Sequence, residues 1–518
     1  MSAPKTTDPL GPALEWYRRQ GWTPLAFQEE AWSAYLEGCH GLVASPTGSG
    51  KTHAAAMGPM LERLGRGVEP DAEPDPIQLL WITPLRALAA DTTRALAGMV
   101  EALGVPWTVE QRTGDTSSSV KARQKKRLPS VLVTTPESLA LLLSWKQTHE
   151  QLAGVRTVVC DEWHELTGSK RGSMLELGLA HLRGLAPEAR TWGLSATIAN
   201  LEEAGEVLVG VRSEPPRLIR ERSPKRIELE TILPDSIEHY PWAGHLGTRL
   251  IGPVAKRILE GRSTLVFTNT RSQTETWFRE LMRAERSLVG RIALHHGSLD
   301  RSTRERVEAM LADGRLQGVV CTSSLDLGVD FEPVDQVIQI GSPKGVARMI
   351  QRAGRSGHQP GACSRIICVP TNAFELVEFA SVRELIESGS IEARPPIEKP
   401  LDILVQHLVT ASMAGRGFVE ESLFEEVRSS WAFRSLTEEE WTWAMQFVEQ
   451  GGAALTAYPE FARIRKQDGR YGVSTPEVAK RHRMNIGTIT ADDAVLVCYA
   501  NGRVLGTIEE SFISRLRP

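Results

Sequence analysis

The chain has 518 residues and a formal net charge of −4, with 41% apolar and 24% charged residues, values of a globular protein too long for a single core. The slightly acidic balance rules out a globally basic surface and leaves room only for a local track of positive charge. No apolar run reaches the roughly 18–20 residues that cross a bilayer, the opening MSAPKTTDPL lacks a signal-peptide core, and the six scattered cysteines follow no metal-binding spacing, so a membrane-free cytoplasmic protein is expected.

From residue 10 to about 210, short apolar runs alternate with helical periodicity. The predicted strands are Gly41–Ser45, Leu79–Thr83, Val131–Thr134, Thr157–Cys160 and Thr191–Ser195. Runs that are apolar on both faces predict a mostly parallel sheet covered by helices. Gly67–Pro76 is acidic and proline-rich and reads as an exposed loop. Ser213–Leu233 is charged and irregular and reads as the start of a passage between domains. A second set follows at Thr264–Phe267, Ile292–His295, Gly318–Cys321, Gln336–Ile340 and Arg365–Val369, closed by a helix over Phe374–Glu387. Beyond Arg394-Pro395-Pro396 the pattern changes to three helices, Leu401–Met413, Val419–Val427 and Glu438–Glu449. Strands follow at Leu455–Pro459 and Arg470–Val473, and together these suggest a winged helix. Trp431, Trp441 and Trp443 read as its core. Thr488–Ile513 is strand-rich and has no room to close, so the natural chain is expected to continue past Pro518. The expected divisions are 1–212, 213–390, 391–480 and 481–518.

Ser45-Pro46-Thr47-Gly48-Ser49-Gly50-Lys51-Thr52 follows the first strand and opens a helix. Its glycines let consecutive N–H groups face phosphates, the helix start favours anions, Lys51 can reach the β- and γ-phosphates, and Thr52 can ligate Mg²⁺. Asp161-Glu162-Trp163-His164 ends another strand of the same sheet. There Asp161 would hold Mg²⁺ and Glu162 would orient and deprotonate the attacking water. Gln351-Arg352-Ala353-Gly354-Arg355-Ser356-Gly357-His358, in the second set, offers planar donors from Arg352 and Arg355 to the γ-phosphate. ATP and Mg²⁺ are the expected cofactors, gripped across two domains.

These motifs, with Phe27-Gln28, Thr83-Pro84-Leu85-Arg86, Thr135-Pro136-Glu137, Ser195-Ala196-Thr197, Thr268-Asn269-Thr270-Arg271, His296-Gly297 and the run from Thr322 to Asp330, resemble the superfamily 2 DExH helicases. The resemblance is to the Lhr (large helicase-related) family in particular, with its ligase-associated branch as one assignment, and it covers essentially the whole chain. It implies an α/β architecture of two tandem RecA-like domains, then a winged-helix domain and the start of a β-rich domain. By the same resemblance Gln28 reads adenine, and Gly48, Ser49, Gly50 and Thr47 cradle phosphates. Gln351 and His164 complete the catalytic set, while Asp326, Gly328 and Asp330 sense nucleotide from the second domain. Thr83, Arg86, Thr135, Thr268, Arg271, His296, Thr322 and Ile489 would touch nucleic acid. The implied activity is 3′-to-5′ translocation on single-stranded DNA with a 3′ tail and unwinding of DNA or RNA–DNA duplexes in DNA repair, with a repair nuclease or ligase as partner.

Two positions depart from the usual pattern: Ser45 stands where Ala or Gly is common, and His358 where many helicases carry arginine. Because the motifs handle phosphate and sugar, an RNA helicase is an alternative, as is a remodelling ATPase that does not separate strands. The threonines before proline also suit helix caps, a use compatible with phosphate contact. The basic run Lys121, Arg123, Lys125, Lys126 and Arg127 reads either as a guide for a strand or as a solvated face.

Overall fold

The structure, a computed structural model, describes residues 8–46, 48–69, 73–196, 198–211, 214–221, 227–233, 247–326, 334–357, 363–451, 462–487, 494–498 and 504–509. The first sheet comprises β1 (Gly41–Ala44), β2 (Leu79–Ile82), β3 (Val109–Arg112), β4 (Val131–Thr134), β5 (Thr157–Cys160), β6 (Arg190–Ser195) and β7 (Arg217–Arg220). Its order is β3-β4-β2-β5-β6-β1-β7, with every pair parallel. Strands β1, β2, β4 and β5 are buried along their whole length, as helices on both faces require. The second sheet comprises β8 (Ile227–Thr231), β9 (Thr264–Phe267), β10 (Ile292–His295), β11 (Gly318–Cys321), β12 (Gln336–Ile340) and β13 (Ser364–Val369), in the order β10-β11-β9-β12-β13-β8 and again parallel.

The segment expected to be irregular between the sheets instead supplies an edge strand to each. β7 pairs with β1 and β8 with β13. The boundary drawn at 212/213 therefore cuts residues off the first sheet and moves past Arg220. These strands escaped notice because each buries only part of its length and carries charges on its exposed positions. β3, half-exposed at three of its positions, was missed for the same reason.

Helices Leu401–Met413, Glu420–Arg428 and Glu438–Gln450 are followed by an antiparallel hairpin, β14 (Ile464–Gln467) with β15 (Arg470–Val473). The strand expected at Leu455–Pro459 lies outside the described residues. A helix at Pro476–Asn485 then packs under the hairpin, with Thr475 capping it through Val478 N, so the division at 480/481 falls inside an element. A second antiparallel pair, β16 (Ala494–Cys498) with β17 (Val504–Glu509), ends the described chain. No described helix is long and apolar enough to cross a membrane.

This winged-helix unit is docked on the first sheet's domain by exchange of core residues. Trp431 packs among Leu175, Leu179 and Leu182 in the first domain's core, while Met174 and Leu177 of helix Lys170–Leu185 belong to the winged-helix core. Trp441 is buried as expected, but Trp443 is 51% exposed and stacks on Phe447, so it is no core residue. Polar ties flank the contact: His181 Nδ1 with Glu426 Oε1 at 2.7 Å, Lys170 Nζ with Asp402 Oδ2 at 3.1 Å, and Ala432 N donating to the buried Glu176 carboxyl at 2.8 Å.

Burial pushes the Glu176 carboxyl up to about 8. A folded-state value raised this way favours the protonated form, so the contribution is complete below the ordinary carboxylate range and is lost as pH rises through about 8. Glu176→Gln should match the parent in thermal unfolding near pH ~5 and exceed it in Tm near pH ~8.5. Parallel Tm curves across that range would show that this group does not titrate within the interface.

Candidate nucleotide site and nucleic-acid edge

The order β5-β6-β1 lays three chain reversals side by side on one edge of the first sheet. Asp161 follows β5, Ser195 closes β6, and Ser45 follows β1, with Ser45 N bonded to Ser195 O at 3.1 Å. The phosphate loop turns at Gly48 and Gly50, both in the left-handed region (φ 81° and 83°), and helix Lys51–Gly65 begins at once. At Gly50 the left-handed φ favours glycine, and a Cβ would lie 2.5 Å from Gln28 Nε2, so a larger residue would also displace that amide. Gln28 accepts from Leu25 N (2.9 Å) and donates to Gly50 O (3.1 Å), which fixes the loop against its own helix. Ser45 adds a hydroxyl bond to Ser49, whose Oγ also donates to Pro46 O at 2.8 Å. The serine in place of a smaller residue therefore reinforces the loop.

Lys51 is buried, with Nζ donating to Ser45 O (2.9 Å) and Pro46 O (3.1 Å). Its ammonium is held below the ordinary lysine range, first by burial and further by the Arg355 charge, while Glu162 and Asp161 oppose the shift. Asp161 Oδ2 accepts from Trp81 Nε1 at 3.2 Å and Oδ1 from Glu162 N at 2.9 Å. Burial, then the adjacent Glu162, push its carboxyl up to about 7. Glu162 sits in the left-handed region (φ 46°), a conformation that costs a non-glycine residue of order 1–3 kcal/mol, and its carboxylate lies 3.5 Å from His164 Nδ1. Thr52, half-buried, is the next residue after Lys51. One hydroxyl and one carboxylate on the same edge, beside a lysine, form a donor set suited to Mg²⁺ carried in with phosphate oxygens.

His164 accepts from Ala196 N at Nδ1 (3.1 Å), so in its neutral form the ring proton is on Nε2, 3.6 Å from Glu165. Burial lowers its pKa to about 3, which keeps it neutral. The ring bridges the acidic pair and the Ser195-Ala196 turn.

The two arginines of the second domain differ. Arg355 is buried, donates to Asp326 O at 2.7 Å, and its charge is felt by both Lys51 and Glu162 across the cleft. Arg352 is held within its own domain. Nε and Nη2 clasp Asp326 at 2.7 and 3.0 Å, Nη1 donates to Gln339 at 2.6 Å, and the guanidinium lies 4.7 Å over Phe267. The expectation of two arginines at the phosphates thus narrows to Arg355 in this arrangement. Gln351 is buried, and its Nε2 has no partner among the described residues. Gln339 and Trp81 were missed by sequence reasoning. A glutamine in an otherwise apolar buried strand is a signal that could have flagged the first; an indole facing a carboxylate leaves none.

Glu392 and Arg394 form a strap joining the two walls. The Glu392 carboxylate accepts from Val346 N (3.1 Å) and Ala347 N (3.2 Å), at the start of the helix that carries Arg352. Two residues on, Arg394 N donates to Asn200 Oδ1 and Arg394 O accepts from Asn200 Nδ2, both at 3.0 Å, while its guanidinium is 3.7 Å from Glu165.

Along the proposed nucleic-acid edge, Thr135 caps helix Pro136–Leu143 through Ser138 N at 3.4 Å, and Thr322 caps a short turn through Ser324 N. Thr268 is fully buried with its hydroxyl on Thr274 at 2.6 Å, so its side chain does not line the surface. Thr83 is buried as well. His296 is buried with Nδ1 accepting from Ser298 N. Arg86 is exposed and paired with Asp115 at 3.0 Å, lying across Gly114 where a Cβ would meet its Cζ at 2.6 Å; Arg271 is exposed at a helix start. Thr47, Thr197, Gly328, Asp330, His358 and Ile489 lie outside the described residues.

Removal of Arg352 would strand the buried Asp326 carboxylate, so Arg352→Ala should cost about 3–5 kcal/mol of stability in urea unfolding. Arg355→Lys should instead lower nucleotide turnover by ~10²–10³ with a much smaller stability loss. Equal effects of the two changes on turnover and on stability would contradict this division.

Three family models match: DEAD/DEAH box helicase at residues 25–204, helicase conserved C-terminal domain at 249–359, and the large helicase-related protein winged helix domain at 384–518. The last takes in the terminal hairpin as well. ATP-dependent helicase Lhr-Core of Methanocaldococcus jannaschii is 34% identical over 515 residues, 98% of this chain and 60% of that protein. The Lhr helicase/probable uracil glycosylase of Mycolicibacterium smegmatis is 33% identical over 99% of this chain and 37% of its own length. The solved structure of Mycobacterium smegmatis Lhr bound to ssDNA and AMP-PNP superposes with a TM-score of 0.82 at 30% identity, covering 98% of this chain and 66% of that one. The chain thus spans about 60% of the length of its archaeal relatives. With the motifs in order on two parallel sheets and a winged helix docked beside them, the chain belongs to the Lhr family of superfamily 2 DExH helicases.

Proposed function

We propose that the chain is an ATP-dependent 3′-to-5′ translocase on single-stranded DNA that unwinds DNA or RNA–DNA duplexes, serving DNA repair in the cytoplasm. The observation that carries this reading is the buried Arg355 of the second domain, near enough to Lys51 and Glu162 of the first for their charges to act on one another. A site completed by two domains couples its occupancy to their separation, which is what a motor needs. The ssDNA and AMP-PNP in the solved relative support the choice of ligand class. Ligase-associated kinship and a nuclease or ligase partner belong to the same reading.

Within it, Lys51 moves from its loop carbonyls to the β- and γ-phosphates. Thr52 and Asp161 hold Mg²⁺, which supplies charge neutralisation at the transferring phosphoryl group. Glu162 orients the attacking water and takes its proton. Arg355 meets the charge that develops at the γ-phosphate. Gln28 reads the adenine edge from its place beside Gly50. Arg86 and Thr135 on one domain and Arg271 and Thr322 on the other alternate their hold on the strand, and the buried Thr83 and His296 support that edge from beneath.

Glu162→Gln should retain ATP and bind single strands while turnover falls by ~10²-fold or more. Ordinary turnover in that variant would place the water's activation elsewhere. In displacement assays a 3′-tailed duplex should open and a 5′-tailed one should not. Equal stimulation by RNA tails alone would favour the RNA helicase, and hydrolysis without displacement the remodelling ATPase.

A further inference from the structure

Although the chain is net acidic, one flank of the first domain gathers cations without a carboxylate among them. Between helix Ser118–Lys126 and Trp145 lies an open cleft of about 770 Å³ lined by Arg112, Lys121, Lys125, Lys126, Trp145 and Gln147. Arg112 is 2% exposed; Nη1 donates to Lys121 O (3.1 Å) and Gln124 Oε1 (3.4 Å), and Nε has no partner among the described residues. Trp145 carries two charges over its ring, Lys125 Nζ at 3.5 Å and, in addition to the lining, Arg483 Cζ at 3.7 Å. Arg483 comes from helix Pro476–Asn485 of the winged-helix unit and donates to Ser144 O at 2.8 Å. The nearest acids are engaged at the margin: Glu110 with Arg123 and Gln124, and Asp115 with Arg86. Burial, and then the Arg112 charge, hold Lys121 and Lys125 below the ordinary lysine range, with Asp115 opposing at Lys121 and Arg483 adding at Lys125. Like charges crowded in a partly desolvated cleft repel unless an anion enters.

The position of the cleft indicates which anion. Arg112 ends β3, in register with Thr134 of β4, which is in register with Ile82 of β2. Arg112, Thr135 and Thr83 therefore follow one another along the same sheet edge at strand spacings of about 4.8 Å. The cleft extends that line outward, and its lysines, spread along one helix from Lys121 to Lys126, suit a chain of phosphates better than one compact ion.

We propose that this cleft binds the sugar–phosphate backbone of the single strand where it continues past β3, with Lys121, Lys125 and Lys126 as phosphate donors, the buried Arg112 as fixed positive charge behind them, and Arg483 extending the contact to the winged-helix unit. The site rests on the nucleic-acid reading above and lengthens its footprint on the strand.

The test titrates the full chain with fluorescein-labelled oligodeoxythymidines from about 6 to about 20 nucleotides, bracketing the usual single-strand site sizes. Wild-type affinity should rise across the series. In Lys125→Gln/Lys126→Gln the rise should be lost, the shortest oligonucleotides should differ less than about twofold, and the log–log salt slope for the longest should shrink by ~1.4. Because Lys125 rests on Trp145, the exposed Lys126→Glu serves as a second variant if the double one unfolds. An unchanged length dependence and salt slope would overturn the proposal, and so would an equal loss at every length. If the wild type binds no oligonucleotide at all, the nucleic-acid reading fails first and the cleft assignment falls with it.

Discussion

The first domain alone sets one buried ammonium, Lys51, against two buried carboxylates, Asp161 and Glu162. Charge taken out of water is tolerated only when paired, and one lysine cannot serve both acids. Arg355 supplies the missing positive charge from the second domain. The balance of this desolvated quartet is thus a property of two domains together, and a nucleotide with its metal re-sorts it. Loop, strut and strap all act to hold these four groups in register. Ser45 and Gln28 fix the loop, Trp81 holds Asp161, and His164 joins the acids to the turn after β6.

The winged-helix unit stands differently toward the two sheets. With Trp431 in the first domain's core and Met174 and Leu177 in its own, it cannot shift on that domain without opening both cores. Large aromatic burial of this kind is worth about 3–5 kcal/mol for each side chain. To the second domain, by contrast, the chain leading into the unit is tied, among the described residues, by the Glu392 carboxylate on two backbone amides.

Much of the fold was legible because a parallel sheet covered on both faces writes its strands as plain apolar runs. Val131–Thr134, Thr157–Cys160, Thr264–Phe267 and Gly318–Cys321 coincide with their predicted bounds. The edge strands β3, β7 and β8 have one flank open to water, carry charge, and leave no such run. At the site, sequence position was enough to bring Lys51, Asp161 and Glu162 to one buried edge of the first sheet. It could not separate Arg352 from Arg355, three residues apart on one stretch, since only the folded domain brings Asp326 and Gln339 onto the first. Nor could it tell a threonine that caps a helix from one that faces a strand, because both uses need the same hydroxyl at the same helix start.

The strap has a mechanical corollary. Glu392 is fastened to one body and Arg394 to the other, and two residues reach at most about 7 Å even when fully drawn out. This corner acts as a pinned joint. Were the bodies to swing apart, points beside it would hardly travel, and points farther off would sweep through an arc that grows with their radius from the pin.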